Sequence, residues 1–94
     1  MRLEWSDDAL ADLDRFAQFL RDRHPSLAAI VAREIIDKAA ILAERPQLGR
    51  AISGRPEYRQ VVLQVANAAY VFQYRVDGER VVVLRVFHGR ETRD

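Results

Sequence analysis

The run Tyr70-Val71-Phe72-Gln73-Tyr74-Arg75-Val76-Asp77-Gly78-Glu79-Arg80-Val81-Val82-Val83-Leu84-Arg85-Val86-Phe87-His88 decides the fold class. It holds two segments rich in β-branched and aromatic residues, Tyr70 to Val76 and Arg80 to His88, each reading as a strand. Asp77-Gly78 between them is a hairpin signal, because a type I′ turn wants positive φ at both central residues. Upstream, Arg59 to Val65 has the same character, and Asn67-Ala68 turns it into the next segment. The three form an antiparallel meander. Gly49, Gly54 and Pro56 mark a loop before it, and upstream of that loop the apolar period changes from two to helical.

Ala9, Leu10, Leu13, Phe16, Ala17 and Leu20 form one stripe at helical spacing, with Asp8, Asp12, Asp14 and Arg15 on the other faces. Ser6 is a good N-cap, and Asp7 and Asp8 suit the positive end of the helix dipole. His24-Pro25 ends this helix, since proline biases its predecessor away from helical angles. A second helix starts near Pro25-Ser26, carries Leu27, Ile30, Val31, Ile35, Ala39 and Leu42, and ends at Pro46. Arg2-Leu3-Glu4-Trp5 alternates like a short strand. The order β-αα-βββ predicts an α+β fold in a single domain over residues 1–94: an N-terminal short strand, a helical hairpin, then a three-stranded antiparallel meander.

Composition narrows the function classes. With 49% hydrophobic and 31% charged residues, the 94-residue chain is a globular domain rather than a disordered tail. It has no cysteine, which excludes disulfide scaffolds, thiol catalysis and cysteine zinc sites. No apolar run approaches the roughly 20 residues that span a bilayer, and Met1 to Trp5 lacks a signal peptide's apolar core, so the expected compartment is the cytoplasm. The net charge of +1 hides an asymmetry, because residues 1–48 carry −2 and residues 49–94 carry +3. All basic residues but Lys38 are arginine. Arginine suits carboxylate and phosphate recognition, although a compositional bias gives the same excess.

Pairing across turns at Asn67-Ala68 and Asp77-Gly78 sorts the meander into two faces. Val61, Leu63, Val65, Tyr70, Phe72, Tyr74, Val81, Val83 and Phe87 face the helices. Gln60, Val62, Gln64, Val71, Gln73, Arg75, Arg80, Val82, Leu84, Val86 and His88 lie on the other side, which no third helix covers. A half-apolar open face of this kind suggests a partner.

Chemical motifs are sparse. Neither GxGxxG nor a phosphate-binding Gly-Lys-Ser/Thr loop occurs. Ser53-Gly54 lacks the preceding glycine of a nucleophile elbow, since position 51 is alanine. Asp8 and Asp12 share a helix face, as paired carboxylates on a metal would, but they are read as a solvated acidic face that complements the helix dipole. Two histidines 64 residues apart write no metal motif. His88, beside arginines at the end of the last strand, fits a general acid or base on a phosphodiester, or a polar strand end. Trp5 reads as a core or rim anchor rather than a base-stacking platform.

The β-αα-βββ order, with Trp5-Ser6-Asp7-Asp8-Ala9, Asp12-Leu13, Leu42-Ala43-Glu44-Arg45-Pro46-Gln47-Leu48-Gly49-Arg50, Tyr70 to Val76 and Val82 to Arg90, resembles the ParE/RelE superfamily of type II toxin–antitoxin toxins. The resemblance spans nearly the whole chain and implies a RelE/ParE-like fold. It also implies a toxin silenced by an antitoxin whose C-terminal segment wraps it. RelE-like members cut mRNA in the ribosome with basic side chains on the open sheet face and last strand. ParE-like members are associated with poisoning DNA gyrase and lack that set.

On the first meander strand this chain has Val62 and Gln64 where RelE-like enzymes are basic, and it has Val71 where they carry an arginine after the tyrosine. Arg90 matches the last-strand arginine, and no tyrosine follows it in Glu91-Thr92-Arg93-Asp94. Metal-free RNA cleavage needs cations around the charged transition state and a base near the 2′-hydroxyl. Valine and glutamine supply neither, so the chain leans to ParE and to inhibition without catalysis. The resemblance then implies a ParD-like antitoxin in a hetero-oligomer, DNA gyrase as target, no cofactor or metal, no membrane, and no specific DNA binding by the toxin alone. Arg59, Val62, Val71, Arg75, Arg80 and Val82 are the expected antitoxin contacts, and Arg85, His88, Arg90 and Arg93 the expected target surface. The alternative is a ribosome-dependent endonuclease with Arg59, His88 and Arg90 as a reduced catalytic set. A toxin-like domain that serves only as a binding partner is a third reading.

Overall fold

Ser6 shows how one residue joins the two layers of this fold. Its Oγ accepts the Ala9 N–H at 3.0 Å and so caps the first helix. The same hydroxyl donates to the Leu84 carbonyl on the last strand at 2.9 Å. The computed structural model describes residues 1–90. Its elements are β1 (Arg2–Trp5), α1 (Asp7–Arg23), α2 (Pro25–Ala39), α3 (Ile41–Glu44), β2 (Arg50–Ile52), β3 (Arg55–Val65), β4 (Ala68–Asp77) and β5 (Arg80–His88). The sheet order is β1-β5-β4-β3-β2, with β1 parallel to β5 and the remaining pairs antiparallel. This is the expected α+β architecture. No helix among the described residues is long and apolar enough to cross a membrane.

His24 alone separates α1 from α2, and Pro25 occupies the first turn of α2, where its missing N–H costs nothing. Ala9, Leu13 and Phe16 from α1, Val31, Ile35 and Ala39 from α2, and Leu42 from α3 pack on Val65, Tyr70, Phe72, Tyr74, Val81, Val83 and Val86. Two residues of the expected helical stripes, Leu10 and Ile30, are exposed instead. The second helix is also shorter than its apolar pattern implies. At Ala40 the N–H turns back to the Asp37 carbonyl at 3.3 Å, which closes α2 and leaves α3 as a separate turn.

The loop after Pro46 is more ordered than its glycines indicate. Arg50 and Ala51 pair with Gln60 and Arg59, so β2 adds an edge strand to the meander. Both meander turns sit one residue earlier or later than expected. The β3–β4 turn is Ala66-Asn67, both with positive φ, and the β4–β5 turn is Gly78-Glu79 with positive φ at Gly78 alone. Glycine at the first central position fits a type II′ turn, which displaces the Asp77-Gly78 reading. Each displacement changes the register by two, so the face assignments up to Val83 survive.

Beyond Val83 they do not. Tyr74 pairs with Val83 but Gln73 pairs with Arg85, so Leu84 is a one-residue bulge. Val86 therefore enters the core at 0% exposure, opposite Phe72, and Phe87 lies opposite Val71 on the open face. His88 moves to the helix-bearing face opposite Tyr70, their rings edge to face at 5.1 Å. The expected positions of Val86, Phe87 and His88 are all reversed.

At the other end of the sheet, buried Tyr74 holds the connection into β2. Its hydroxyl donates to the Pro46 carbonyl and accepts the Gly49 N–H, each at 2.8 Å. A Cβ on Gly49 would stand 2.8 Å from both Tyr74 Oη and the Gln60 carbonyl, so only glycine fits. Tyr74→Phe leaves the buried Gly49 N–H unsatisfied, and should cost about 1–3 kcal/mol. Urea unfolding should show a lowered midpoint at unchanged m. An unchanged midpoint would mean that the hydroxyl does not hold the loop.

Candidate functional site

Asp12 is the chief surprise of the structure. It was expected on a solvated acidic face, yet it is 1% exposed. One carboxylate oxygen accepts Arg15 Nη1 at 2.6 Å and Arg85 Nη2 at 3.0 Å. The other accepts Arg85 Nε at 2.9 Å and the Val86 backbone N–H at 2.8 Å. Burial pushes the carboxyl up, but the hydrogen bonds from Arg85, Val86 and Arg15, with the Arg85 charge, outweigh it and hold its pKa below the ordinary value. A sequence signal was available. Residues 9, 12, 13 and 16 follow the i, i+3, i+4, i+7 spacing, so Asp12 lies inside the buried stripe of Ala9, Leu13 and Phe16.

Arg85, expected on a target surface, is thus bound to Asp12, and its guanidinium also lies over the Phe87 ring at 4.7 Å. His88 Nδ1 accepts the Arg90 N–H at 3.1 Å, which places the neutral ring's proton on Nε2. Gly89 and Arg90 are exposed, and Arg93 lies outside the described residues.

Val62, Val71, Arg75, Arg80 and Val82 share the open face, as expected. Val62 is 55% exposed there, whereas Val71 and Val82 are buried. The arginines are already matched. Arg80 binds Glu4 at 2.9 Å and Asp77 at 3.0 Å, which raises its pKa, Asp77 first and Glu4 second. Arg75 lies 3.7 Å from Asp77, and Arg2 lies 3.4 Å from Glu4. Next to this ionic group, Gln73 donates to Gln60 at 3.0 Å, an amide pair midway across the face.

Arg59 is the exception. It stands opposite Tyr74 on the helix-bearing face and donates to the Gly49 carbonyl at 2.7 Å. His88 stands opposite Tyr70, four residues further along β4 and on the far neighbouring strand. At about 3.4 Å per residue and about 4.8 Å per strand, that is roughly 14 Å along and 10 Å across. Arg59 and His88 do not converge on one substrate atom.

Residues 3–93 match the family described as the ParE toxin of the type II toxin–antitoxin system, parDE. The chain is 33% identical over 85 residues to Toxin RelE1 of Caulobacter vibrioides, covering 90% of this chain and 89% of that one. It is 33% identical over 91 residues to Toxin RelE3 of the same organism, covering 97% of each. Its fold is similar to a chain of the chromosomal ParDE system from P. aeruginosa, with TM-score 0.75 and 24% identity over 94% of this chain and 95% of that one. The intact E. coli RelBE toxin–antitoxin complex contains a similar chain, with TM-score 0.60 and 18% identity over 96% and 98%.

Asp12→Ala deprives the Arg85 guanidinium and the Val86 N–H of their acceptor, and should cost about 3–5 kcal/mol at neutral pH. The folded carboxyl titrates below its unfolded value of about 3.9, so its contribution is complete above that value and is lost as pH falls through the folded pKa. Denaturant unfolding should show a constant gap to the parent chain from about pH 5 to 8, narrowing below about pH 4. A gap that persists undiminished in acid would remove the carboxylate as its source.

Proposed function

This chain belongs to the ParE toxin family of type II toxin–antitoxin systems, and on that premise we propose that it arrests bacterial growth by binding and poisoning DNA gyrase, silenced by a ParD-like antitoxin. The observation that carries the reading is the open sheet face. At its centre lies the Gln60–Gln73 amide pair, flanked by Val62 and Val71, and its arginines Arg75 and Arg80 are paired with Asp77 and Glu4. The wide separation of Arg59 from His88 supports inhibition without catalysis. No cofactor takes part in this reading, and the site of action is the cytoplasm. Two relatives bearing the RelE name favour the second reading, a ribosome-dependent mRNA endonuclease.

The antitoxin segment is disordered until bound and lays its apolar anchor on exposed Val62, with buried Val71 and Val82 as the apolar floor beside it. Arg75 and Arg80 contribute at the rim, less than free forks would, because Asp77 and Glu4 hold them. The outer side of the helical hairpin, with Leu10, Phe19, Ile30 and Ile36 exposed, extends the contact. The target surface includes exposed Arg90, just beyond the end of β5, and Arg93 is assigned to it by charge alone.

Induction without antitoxin should give filamentation and an SOS response with intact transcripts. Codon-positioned transcript cuts with translation arrest would establish the second reading instead, and no growth defect would leave a binding module. Charge reversal at Arg90 and Arg93 should abolish toxicity while antitoxin affinity survives, and undiminished killing would sink the surface assignment. Val62→Asp should weaken antitoxin binding by roughly 100-fold, the loss of a central apolar anchor. Titration calorimetry that finds parental affinity would move the antitoxin off this face.

A further inference from the structure

The last strand admits two phases, and the sequence alone favours the wrong one. Unbroken alternation from Val81 puts Val83, Arg85 and Phe87 on the helix-bearing face, which drives a guanidinium toward the core. The bulge at Leu84 instead takes Arg85 off that face and admits Val86. Parallel pairing with β1 stops at Trp5–Val83, and Ser6 closes it through the Val83 and Leu84 carbonyls. Past that point, among the described residues, the outer edge of β5 has no strand beside it. Asp12 occupies the gap: it takes the Val86 edge N–H and both nitrogens of the Arg85 fork.

We infer that Asp12 is a positioning residue that fixes the phase of β5 beyond its bulge, and thereby sets which side chains the last strand presents to the target. This rests on the reading that the end of β5 is the target surface. The geometry is directional. With Val86 inward, Phe87 faces the open side and His88 stacks on Tyr70. Gly89 N–H then reaches the Ala69 carbonyl at 2.7 Å, where a Cβ on Gly89 would stand 2.9 Å from the same oxygen. Arg90 follows, its N–H on His88 Nδ1. In the unbulged phase Phe87 turns inward, His88 leaves Tyr70, and the Arg90 turn loses its acceptor. A buried ion pair that selects a register is the best-attested use of such pairs. Asp12 itself, at 1% exposure, touches no target, so its effect passes through Arg85 and Val86.

The test is Asp12→Asn in the full chain, made by cell-free synthesis for NMR and induced in cells for toxicity. The expected result is a second set of β5 signals, with the Tyr70–His88 and Phe72–Val86 contacts weakened several-fold. Growth arrest should fall at least tenfold while affinity for the antitoxin stays within threefold. A single β5 register with parental contacts would overturn the inference, and so would a parallel loss of toxicity and antitoxin affinity, which marks Asp12 as a stability group only. If Asp12→Asn does not fold, Arg85→Lys keeps the surface charge but not the two-pronged bond. It should show the same register mixture, and parental register with parental potency would overturn the inference equally. Arg15→Ala, which leaves the Arg85 and Val86 bonds in place, should keep a single register. Should the parent chain cut transcripts instead of raising an SOS response, the gyrase reading fails, while the β5 register of Asp12→Asn still decides this inference.

Discussion

A single buried carboxylate joins the two layers of this protein. Asp12 leaves α1 between Ala9, Leu13 and Phe16 and ends on the edge of β5, where it replaces the strand that β1 ceases to be after Trp5. Burying an anion in such a place is unfavourable unless every lone pair finds a donor. Here a two-pronged arginine, a second arginine and a backbone N–H all reach it. The net effect on stability relative to an apolar substitute is small for such pairs, but removing one partner alone is costly. The carboxylate therefore specifies more than it stabilises. It tells α1 where to lie and β5 which way to face.

The connection into β2 is held by a neutral counterpart. Tyr74 rises from the same core and satisfies both the Pro46 carbonyl and the Gly49 N–H, while Arg59 takes the Gly49 carbonyl. The chain between α3 and β2 is thereby pinned to the sheet without helix or strand of its own. Between these two anchors the open face is left with its charges internally matched, Arg80 and Arg75 against Glu4 and Asp77. Surface pairs of this sort add little stability. They do, however, keep a basic face from acting as an undirected anion trap.

Element order, both helices and the meander were legible because each rests on local rules: Ser6 as cap, Pro25 at a helix start, glycine at Gly78, alternation in β3 and β4. Faces were legible up to Val83, since turn displacements by one residue on each arm preserve parity. Three features escaped, each for its own physical reason. The Leu84 bulge exists because Arg85 has a buried acceptor 73 residues away. Asp12 looked like surface because an acidic residue at a core spacing is ordinarily read by its charge rather than its place. β2 looked like loop because three residues, Arg50 to Ile52, carry no pattern, and only their pairing with β3 makes a strand. Arg59 was misplaced although its face was legible, since it lies two residues before Val61 and so shares the helix-bearing face, where it binds the Gly49 carbonyl.

The arrangement also bears on how silencing and toxicity would share one small surface. Val62, Val71 and Phe87 stand opposite one another across β3, β4 and β5, an apolar row whose middle member, Val71, is buried. Strand spacing of about 4.8 Å puts its two ends roughly 10 Å apart. On the reading proposed above, an antitoxin segment anchored at Val62 and running along this row arrives at Phe87, one residue before His88 and three before Arg90. Occlusion of the target surface then follows from the row's geometry and needs no conformational change in the toxin. The bulge decides which residue ends this row, and it turns Phe87 outward. In the unbulged phase Val86 would stand in its place, a smaller side chain without the aromatic face over which Arg85 now lies. The buried contact that sets the phase of β5 therefore decides which side chain ends the row beside the target surface, while the Val62 anchor on β3 is the same in either phase.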